Sequence, residues 1–406
     1  MEAISTLLSN LNPLLVIAFI IATIVPIVVL WVIFELDMYG TGDFRNVATT
    51  FSWGLIAFGL AVPVNRYFAY DLLADVFTGS YALQRIIAPI SEEILKAIIL
   101  FYLVRKADFT YFVDGAIYGF SAGVGFAVIE NYAYMLNDPG AELGVAIGRV
   151  MTTNLIHAAA SGLAGISFGM SKFKHNIVIR ILMPFGGLAF GTALHMAFNN
   201  LVTCVDARDC PALLFPPQAI QSHHSFLTIY AILLGFSGIG IIVYYINQGL
   251  KEERAWVDEK IGEIERVTSG EAELAKRIPT IRELLAPLAE KFGEEKALKC
   301  QELLKLQAQL GIYTKAMEEA SHENKAQLEE RREMLVEVQE KMEALRKQIG
   351  VYCMLYLRNI FPEDIGQLWN TLDDRIAEAA AARPKTGGTN LWGSLENKTS
   401  GSEHNT

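Results

Sequence analysis

The chain has 406 residues, 52% of them hydrophobic and 19% charged, with a mean hydropathy of +0.30. Soluble globular proteins carry about 25% charged residues, so this composition excludes an ordinary soluble enzyme. A formal net charge of -10 leaves no basic excess to meet phosphates, which argues against a nucleic-acid partner.

The averages conceal two regions. Residues 1–249 hold 11 Lys or Arg and 15 Asp or Glu, about a tenth of positions. The remaining 157 residues hold 23 and 29, about a third. A bilayer explains the first density and water the second. The predicted fold class is therefore all-α: a polytopic transmembrane bundle over 1–249, a soluble helical region with short coiled-coil character over 250–383, and a disordered tail over 384–406.

In chain order, apolar stretches long enough to span a bilayer, about 17–25 residues, fall near 13–35, 48–65, 82–104, 112–136, 147–170, 177–202 and 225–247. No basic residue precedes the first, and its apolar run is too long for a signal peptide. Lys and Arg collect after the third, fifth and seventh stretches (Arg105, Lys106, Lys172, Lys174, Arg180, Lys251 and Arg254). The positive-inside rule then predicts an external N-terminus and a cytoplasmic C-terminus. The 203–224 loop becomes extracytoplasmic, where Cys204 and Cys210 are either a disulfide or two free thiols. Gly115, Gly119 and Gly123, and again Gly165 and Gly169, recur every four residues, the spacing that lets membrane helices approach closely.

In the charged region Leu328, Leu335, Met342 and Ile349 repeat every seven residues, with Val338, Leu345 and Tyr352 as companions. Leu303, Leu306, Leu310, Tyr313 and Met317 form an earlier run in another phase. Two to three heptads each predict a bundle or helical hairpin that can also self-associate. Beyond Arg383 the chain is rich in Gly, Thr, Asn and Ser, a disordered composition.

Ionisable groups inside membrane spans cost about 2.5–3.5 kcal/mol each on insertion scales and normally face a polar cavity. Here they fall on consecutive spans: Ser91, Glu92, Glu93 and Lys96 on the third, Asp114, Glu130 and Asn131 on the fourth, Asn154 and His157 on the fifth, and His195 and Asn199 on the sixth. At about 100° per residue, Lys96 lies between Glu92 and Glu93 in azimuth, one turn on. It can compensate one carboxylate and leave the other for general acid–base work; an inert ion pair is the bland alternative. His195 and Asn199 share a helix face, either as donors to an oxyanion or as a packing pair. His157 is either a site residue or an interhelical hydrogen bond. At 1.5 Å per residue, Glu130 and His195 lie about 9–10 Å, and His157 and Glu92 about 15 Å, from the outer ends of their spans. That common depth predicts one water-filled site in the outer half of the membrane. Pro89 either kinks the third span or starts a helix whose positive end faces the two carboxylates.

The motifs Glu92-Glu93-x-x-Lys96, Phe126-x-x-x-Glu130 and His195-x-x-x-Asn199, with the segment from Asp114 to Asn131, resemble the PrsW family of intramembrane proteases, relatives of the CAAX-type prenyl endopeptidases and bacteriocin-processing membrane proteases. The resemblance covers roughly residues 13–247. It implies that Glu92 or Glu93 activates the attacking water, that Glu130 stands where related families place a His, and that His195 with Asn199 binds the oxyanion or, with a metal, that His195 ligates it. It also implies proteolysis of a single-pass, membrane-anchored protein of the anti-sigma-factor type in the bacterial cell membrane. Glu92, Glu130, His157 and His195 are the residues that would ligate Zn²⁺, and a metal-free glutamate mechanism fits the same residues. The other readings are a proton-coupled transporter or channel using the Glu, Lys and His residues, a serine mechanism on His157 and Ser161, and a silent scaffold. The sequence shows no internal repeat for the first and no serine-protease loop for the second.

Overall fold

The computed structural model describes residues 13–68, 81–137, 142–207, 224–264, 267–319 and 325–358, with the side chains of 205–207 and 224–228 left aside. The described residues form helices and connecting turns, without a strand. The helices of the apolar region are α1 (Pro13–Glu35), α2 (Phe44–Tyr67), α3 (Ala88–Leu103, entered through a π-helical turn Leu83–Ile87), α4 (Phe112–Asn137), α5 (Glu142–Met151), α6 (Thr153–Lys172), α7 (Ile177–Ala207) and α8 (His224–Lys260).

Five of them, α1, α2, α4, α7 and α8, are long and apolar enough to cross a membrane. The expectation of seven is thus met by five on length and composition. The π turn shortens α3 to 16 α-helical residues, and Asn154, His157, Ser161, Ser167 and Ser171 lower the hydropathy of α6. The stretch predicted as one helix over 147–170 is two. Its backbone breaks at Thr152 (φ -129°, ψ -75°), so α5 turns away from the line of α6.

Helix α4 is the axis of the bundle. It is buried over nearly its whole length, whereas α1, α2, α7 and α8 expose Ile20, Trp31, Ile56, Leu182 and Leu233 outward. That inversion of the water-soluble pattern is expected where the surroundings are lipid. Glycine size sets the packing. A Cβ at Gly115, Gly119 or Gly123 would overlap the carbonyl oxygens of Gly165, Ser161 and His157 on α6. On the opposite side, Gly125 meets Phe51 of α2, and Gly54 of α2 meets Ala122. With no side chain between the backbones, α2, α4 and α6 stack closely, which brings Glu130 of α4 beside His157 of α6.

Helix α8 runs without interruption to Lys260, so the predicted boundary at 249 falls inside a helix. Beyond it lie α9 (Ser269–Ala275), α10 (Ala286–Phe292), α11 (Glu294–Glu319), α12 (Lys325–Ile349) and α13 (Val351–Arg358). Helices α11 and α12 form the expected hairpin, with Leu303, Leu310 and Tyr313 facing inward alongside Val338, Met342, Leu345 and Ile349. Tyr352 departs from the pattern: past Gly350 (φ +86°) the chain changes direction and the ring is 82% exposed. Cys300 and Cys353 are buried free thiols, held above the ordinary thiol range chiefly by burial.

The hairpin is seated on the apolar bundle. Gln309 Nε2 donates to the carbonyls of Tyr39 (2.9 Å) and Gly40 (2.5 Å) in the α1–α2 turn, and Gln327 Nε2 donates to Arg105 O at 3.0 Å. Within that turn Asp37 accepts from the backbone N–H groups of Gly40 (2.9 Å) and Gly42 (2.7 Å); burial raises its carboxyl above the ordinary value against those bonds. Asp114, one of the intramembrane acids, accepts from Thr110 N, Tyr111 N and Thr41 Oγ1. It caps the start of α4 at the end away from Glu130. Cys204 is disulfide-bonded, and Cys210 lies outside the described residues, as does the predicted disordered tail.

Candidate active site

Adjacent residues on α3 point at different partners. Lys96 Nζ sits 2.5 Å from Glu93 Oε1 and 4.7 Å over the Phe126 ring. Ser161 Oγ donates to Glu93 Oε2 at 3.0 Å, and His195 Nδ1 lies 2.9 Å from Glu93 Oε1. Glu93 is therefore a fully engaged, buried carboxylate, and Ser161 serves it as a donor, which removes the His157–Ser161 pairing as a nucleophilic unit. Glu92 has no Lys or Arg partner among the described residues. Asn65 Nδ2 of α2 donates to its Oε1 at 3.3 Å, Ser91 donates in turn to Asn65, and Oε2 stands 4.0 Å from His195 Nε2.

Across the site, Glu130 Oε2 receives Arg149 Nη2 at 2.5 Å and His157 Nε2 at 2.8 Å. His157 Nδ1 is 3.1 Å from Lys96 Nζ. An ammonium has only donors, so Nδ1 accepts from Lys96 and Nε2 carries the proton given to Glu130. For His195 the carboxylate Glu93 accepts, so Nδ1 carries a proton, and Nε2 faces Glu92 Oε2 at 4.0 Å. One hydrogen-bonded chain thus links Arg149, Glu130, His157, Lys96, Glu93 and His195 over five helices. A cavity of about 410 Å³ opens on it, lined by Glu92, Glu130, Tyr134, Arg149, His157 and Asn199 among others.

Asn199 is placed at this cavity with one of its two amide N–H donors already engaged. Its Nδ2 donates to Gln84 O at 2.7 Å. The reason lies in the π turn, where Ala88 N bonds Leu83 O, five residues back. The corresponding donor for Gln84 O would be residue 89, and proline has no N–H. Asn199 supplies the missing donor, and Arg85 Nε bonds Thr203 Oγ1 at 2.7 Å one turn further along α7. Of the two expectations for Pro89, the structure favours the helix start: it lies in the first turn of α3, directly after the π turn.

Sequence reasoning missed Arg149, Asn65 and Tyr134. The signal for Arg149 was present as a basic residue inside an apolar stretch, but only the break at Thr152 turns it inward. Asn65 gives no comparable signal, because an Asn beside Arg66 reads as the polar end of a span.

The donor set also suits a metal. Glu92, His157 and His195 each offer a ligand atom within 4.8 Å of one another, and two imidazoles with one carboxylate are zinc ligands. The contact from Glu93 to His195 Nδ1 has the form of the outer-shell carboxylates that orient metal-bound histidines. Glu130 falls outside this cluster, so of the four ligands expected from the sequence, three come together and the fourth pairs with Arg149.

The model of the family described as PrsW family intramembrane metalloprotease matches residues 42–234, the stretch that carries every group above. The Protease PrsW of Geobacillus kaustophilus is 30% identical over 156 residues, 37% of this chain and 66% of that protein. That of Halalkalibacterium halodurans is 29% identical over 171 residues, 40% and 76% of the two chains. That of Bacillus subtilis is 28% identical over 191 residues, 46% and 84%. No solved structure matches the chain. With its apolar helices and the Glu92, Glu130 and His195 motifs gathered at one cavity, the chain belongs to the PrsW family of intramembrane proteases.

Proposed function

We propose that this protein hydrolyses a peptide bond of a membrane-anchored, single-pass protein, with Glu92 as the general base. The observation that carries this reading is the asymmetry of the glutamate pair: Glu93 is neutralised by Lys96 at 2.5 Å, while Glu92 lines the cavity without a Lys or Arg partner among the described residues. Asn65 holds one oxygen of Glu92 and leaves the other facing His195 Nε2. A water between these two acceptors donates to both, and its lone pair is left for attack. Glu92 takes one proton as the water oxygen bonds to the scissile carbonyl carbon. The carbonyl π pair moves to oxygen, and collapse of the tetrahedral adduct breaks the C–N bond. Glu92 returns its proton to the departing amine, leaving a carboxyl and an amine terminus. Glu93 and Lys96 act by holding His195 in the Nδ1–H tautomer.

The three clustered ligand atoms favour a second reading, in which Glu92, His157 and His195 hold zinc. A bound zinc ion lowers the pKa of its water and polarises a carbonyl. In that case Glu92 would be a ligand, and the ligating nitrogen of His157 would have to present a lone pair, so a proton held on it would shift to the other ring nitrogen.

The depth estimate supports a cut in the outer half of the bilayer with the C-terminal helices in the cytoplasm, and the resemblance supports a substrate of the anti-sigma-factor type. The test is cleavage of such a tagged substrate in proteoliposomes by wild type and by Glu92→Gln, Glu93→Gln, Glu130→Gln, His195→Ala and Asn199→Ala. Unchanged cleavage in all five removes the reading. Zinc titration separates the two roles of Glu92: binding that Glu92→Gln abolishes makes it a ligand, and full activity after exhaustive chelation makes it the base.

A further inference from the structure

The oxyanion donors expected from the sequence are partly committed elsewhere. The proton of His195 Nδ1 goes to Glu93, and one N–H of the Asn199 amide goes to the Gln84 carbonyl that Pro89 leaves without a donor. A cavity built for amide hydrolysis still needs a positive group where the carbonyl oxygen gains charge. Among the residues lining it, Arg149 is the one Lys or Arg.

Arg149 is held as a fork. Its Nε donates to Asn131 Oδ1 at 2.8 Å and its Nη2 to Glu130 Oε2 at 2.5 Å. The guanidinium carbon lies 3.8 Å from the centre of the Tyr134 ring. All three partners are on α4, at 130, 131 and one turn later at 134, so a buried rigid helix fixes the plane of the group. Nη1 makes no hydrogen bond to a carboxylate or amide among the described residues. Glu130 Oε2 is shared with His157 Nε2, which puts the guanidinium next to the Glu92–His157–His195 cluster. The break at Thr152 is what allows α5 to deliver this side chain.

Building on the peptidase reading, we propose that Arg149 is a catalytic residue: its outward N–H groups bind the scissile carbonyl oxygen and the oxyanion formed from it, with Glu130, Asn131 and Tyr134 as positioning residues. A guanidinium suits this because it stays charged and its geometry is planar and pre-organised. Loss of one oxyanion donor typically lowers kcat by about 10²–10³.

A bare counter-ion to Glu130 would also be sensitive to substitution, so the test must separate the two roles. Wild type, Arg149→Ala and Arg149→Lys are compared in proteoliposomes on a tagged single-pass anti-sigma factor, with Glu92→Gln as the inactive reference and thermal unfolding of each variant measured. The expected result is a fall in kcat of about 10²–10³ for Arg149→Ala with KM nearly unchanged. Added guanidinium at tens of millimolar should restore part of it in proportion to concentration, and methylammonium should not. Wild-type kcat in Arg149→Ala, or a loss that no guanidinium restores in a variant that melts like wild type, overturns the proposal. A wild-type protein that fails to cleave more than Glu92→Gln overturns the peptidase reading itself, and Arg149 with it.

Discussion

Lys96 Nζ lies 2.5 Å from Glu93 Oε1, and this single contact makes two adjacent glutamates unequal. Both are buried, yet among the described residues only Glu93 pairs with a lysine, and it also accepts from Ser161 and His195. Removing one partner of a buried pair leaves an uncompensated charge and costs about 3–5 kcal/mol. Glu93→Gln and Lys96→Met are therefore expected to lose stability on that scale, read as lower thermal midpoints in detergent. Glu92→Gln should melt within about 1 kcal/mol of wild type while losing cleavage by about 10²–10⁴. Equal destabilisation by Glu92→Gln and Glu93→Gln would contradict the division of roles.

Asn199 and Pro89 should show energetic coupling although one is a side-chain donor and the other a missing backbone donor. Asn199→Ala leaves Gln84 O without its hydrogen bond, a loss of about 1–2 kcal/mol. In a Pro89→Ala background residue 89 regains an N–H, so the same Asn199→Ala change is expected to cost less than half as much. A double-mutant cycle on thermal stability measures the difference. Additivity within a few tenths of a kcal/mol would show that Asn199 does not replace the proline's missing donor.

Gly165 on α6 faces Gly115 on α4 with no room for a methyl group. Gly165→Ala must push the two helices apart, at a cost of about 1–3 kcal/mol or more. Because the same contact line aligns Glu130 with His157, activity should fall as well. Gly59→Ala on α2, where a Cβ meets nothing within 4 Å, is the matched control and should leave folding and cleavage unchanged. Thermal melts and cleavage rates of the two variants check both statements.

The turn between α1 and α2 joins the membrane bundle to the C-terminal hairpin through Gln309. Gln309→Ala is expected to speed hydrogen–deuterium exchange across residues 36–43, with little change in the core of α4. Asp37 adds a pH dependence of defined sign. Burial raises its folded-state pKa above the ordinary 3.8, so the folded form holds its proton longer than the unfolded chain does. Its contribution is complete below the ordinary value and is lost as pH rises through the raised one. Exchange protection of 36–43 should therefore weaken with rising pH after correction for intrinsic rates, and a flat profile would contradict it.

Much of this protein is legible without coordinates, for identifiable reasons. The cost of an ion in hydrocarbon makes Glu92, Glu93, Lys96, Glu130, His157 and His195 conspicuous in an apolar background. The four-residue spacing of Gly115, Gly119 and Gly123 signals close helix contact. The heptads of α11 and α12 signal a hairpin. What the sequence determines by itself is thus an all-α membrane bundle with a charged helical extension and a short inventory of reactive side chains. Only the tertiary structure decides what each does. A helical azimuth puts Lys96 equally near Glu92 and Glu93, and it is the packing of α6 and α7 that supplies the Ser161 hydroxyl and the His195 Nδ1 to Glu93. Residue spacing makes Asn199 a partner of His195, whereas the backbone of another helix, lacking a proton at Pro89, claims its amide. Arg149 enters the site through a broken helix that hydropathy reads as continuous. These assignments rest on contacts between residues tens of positions apart, which no local pattern of the chain encodes.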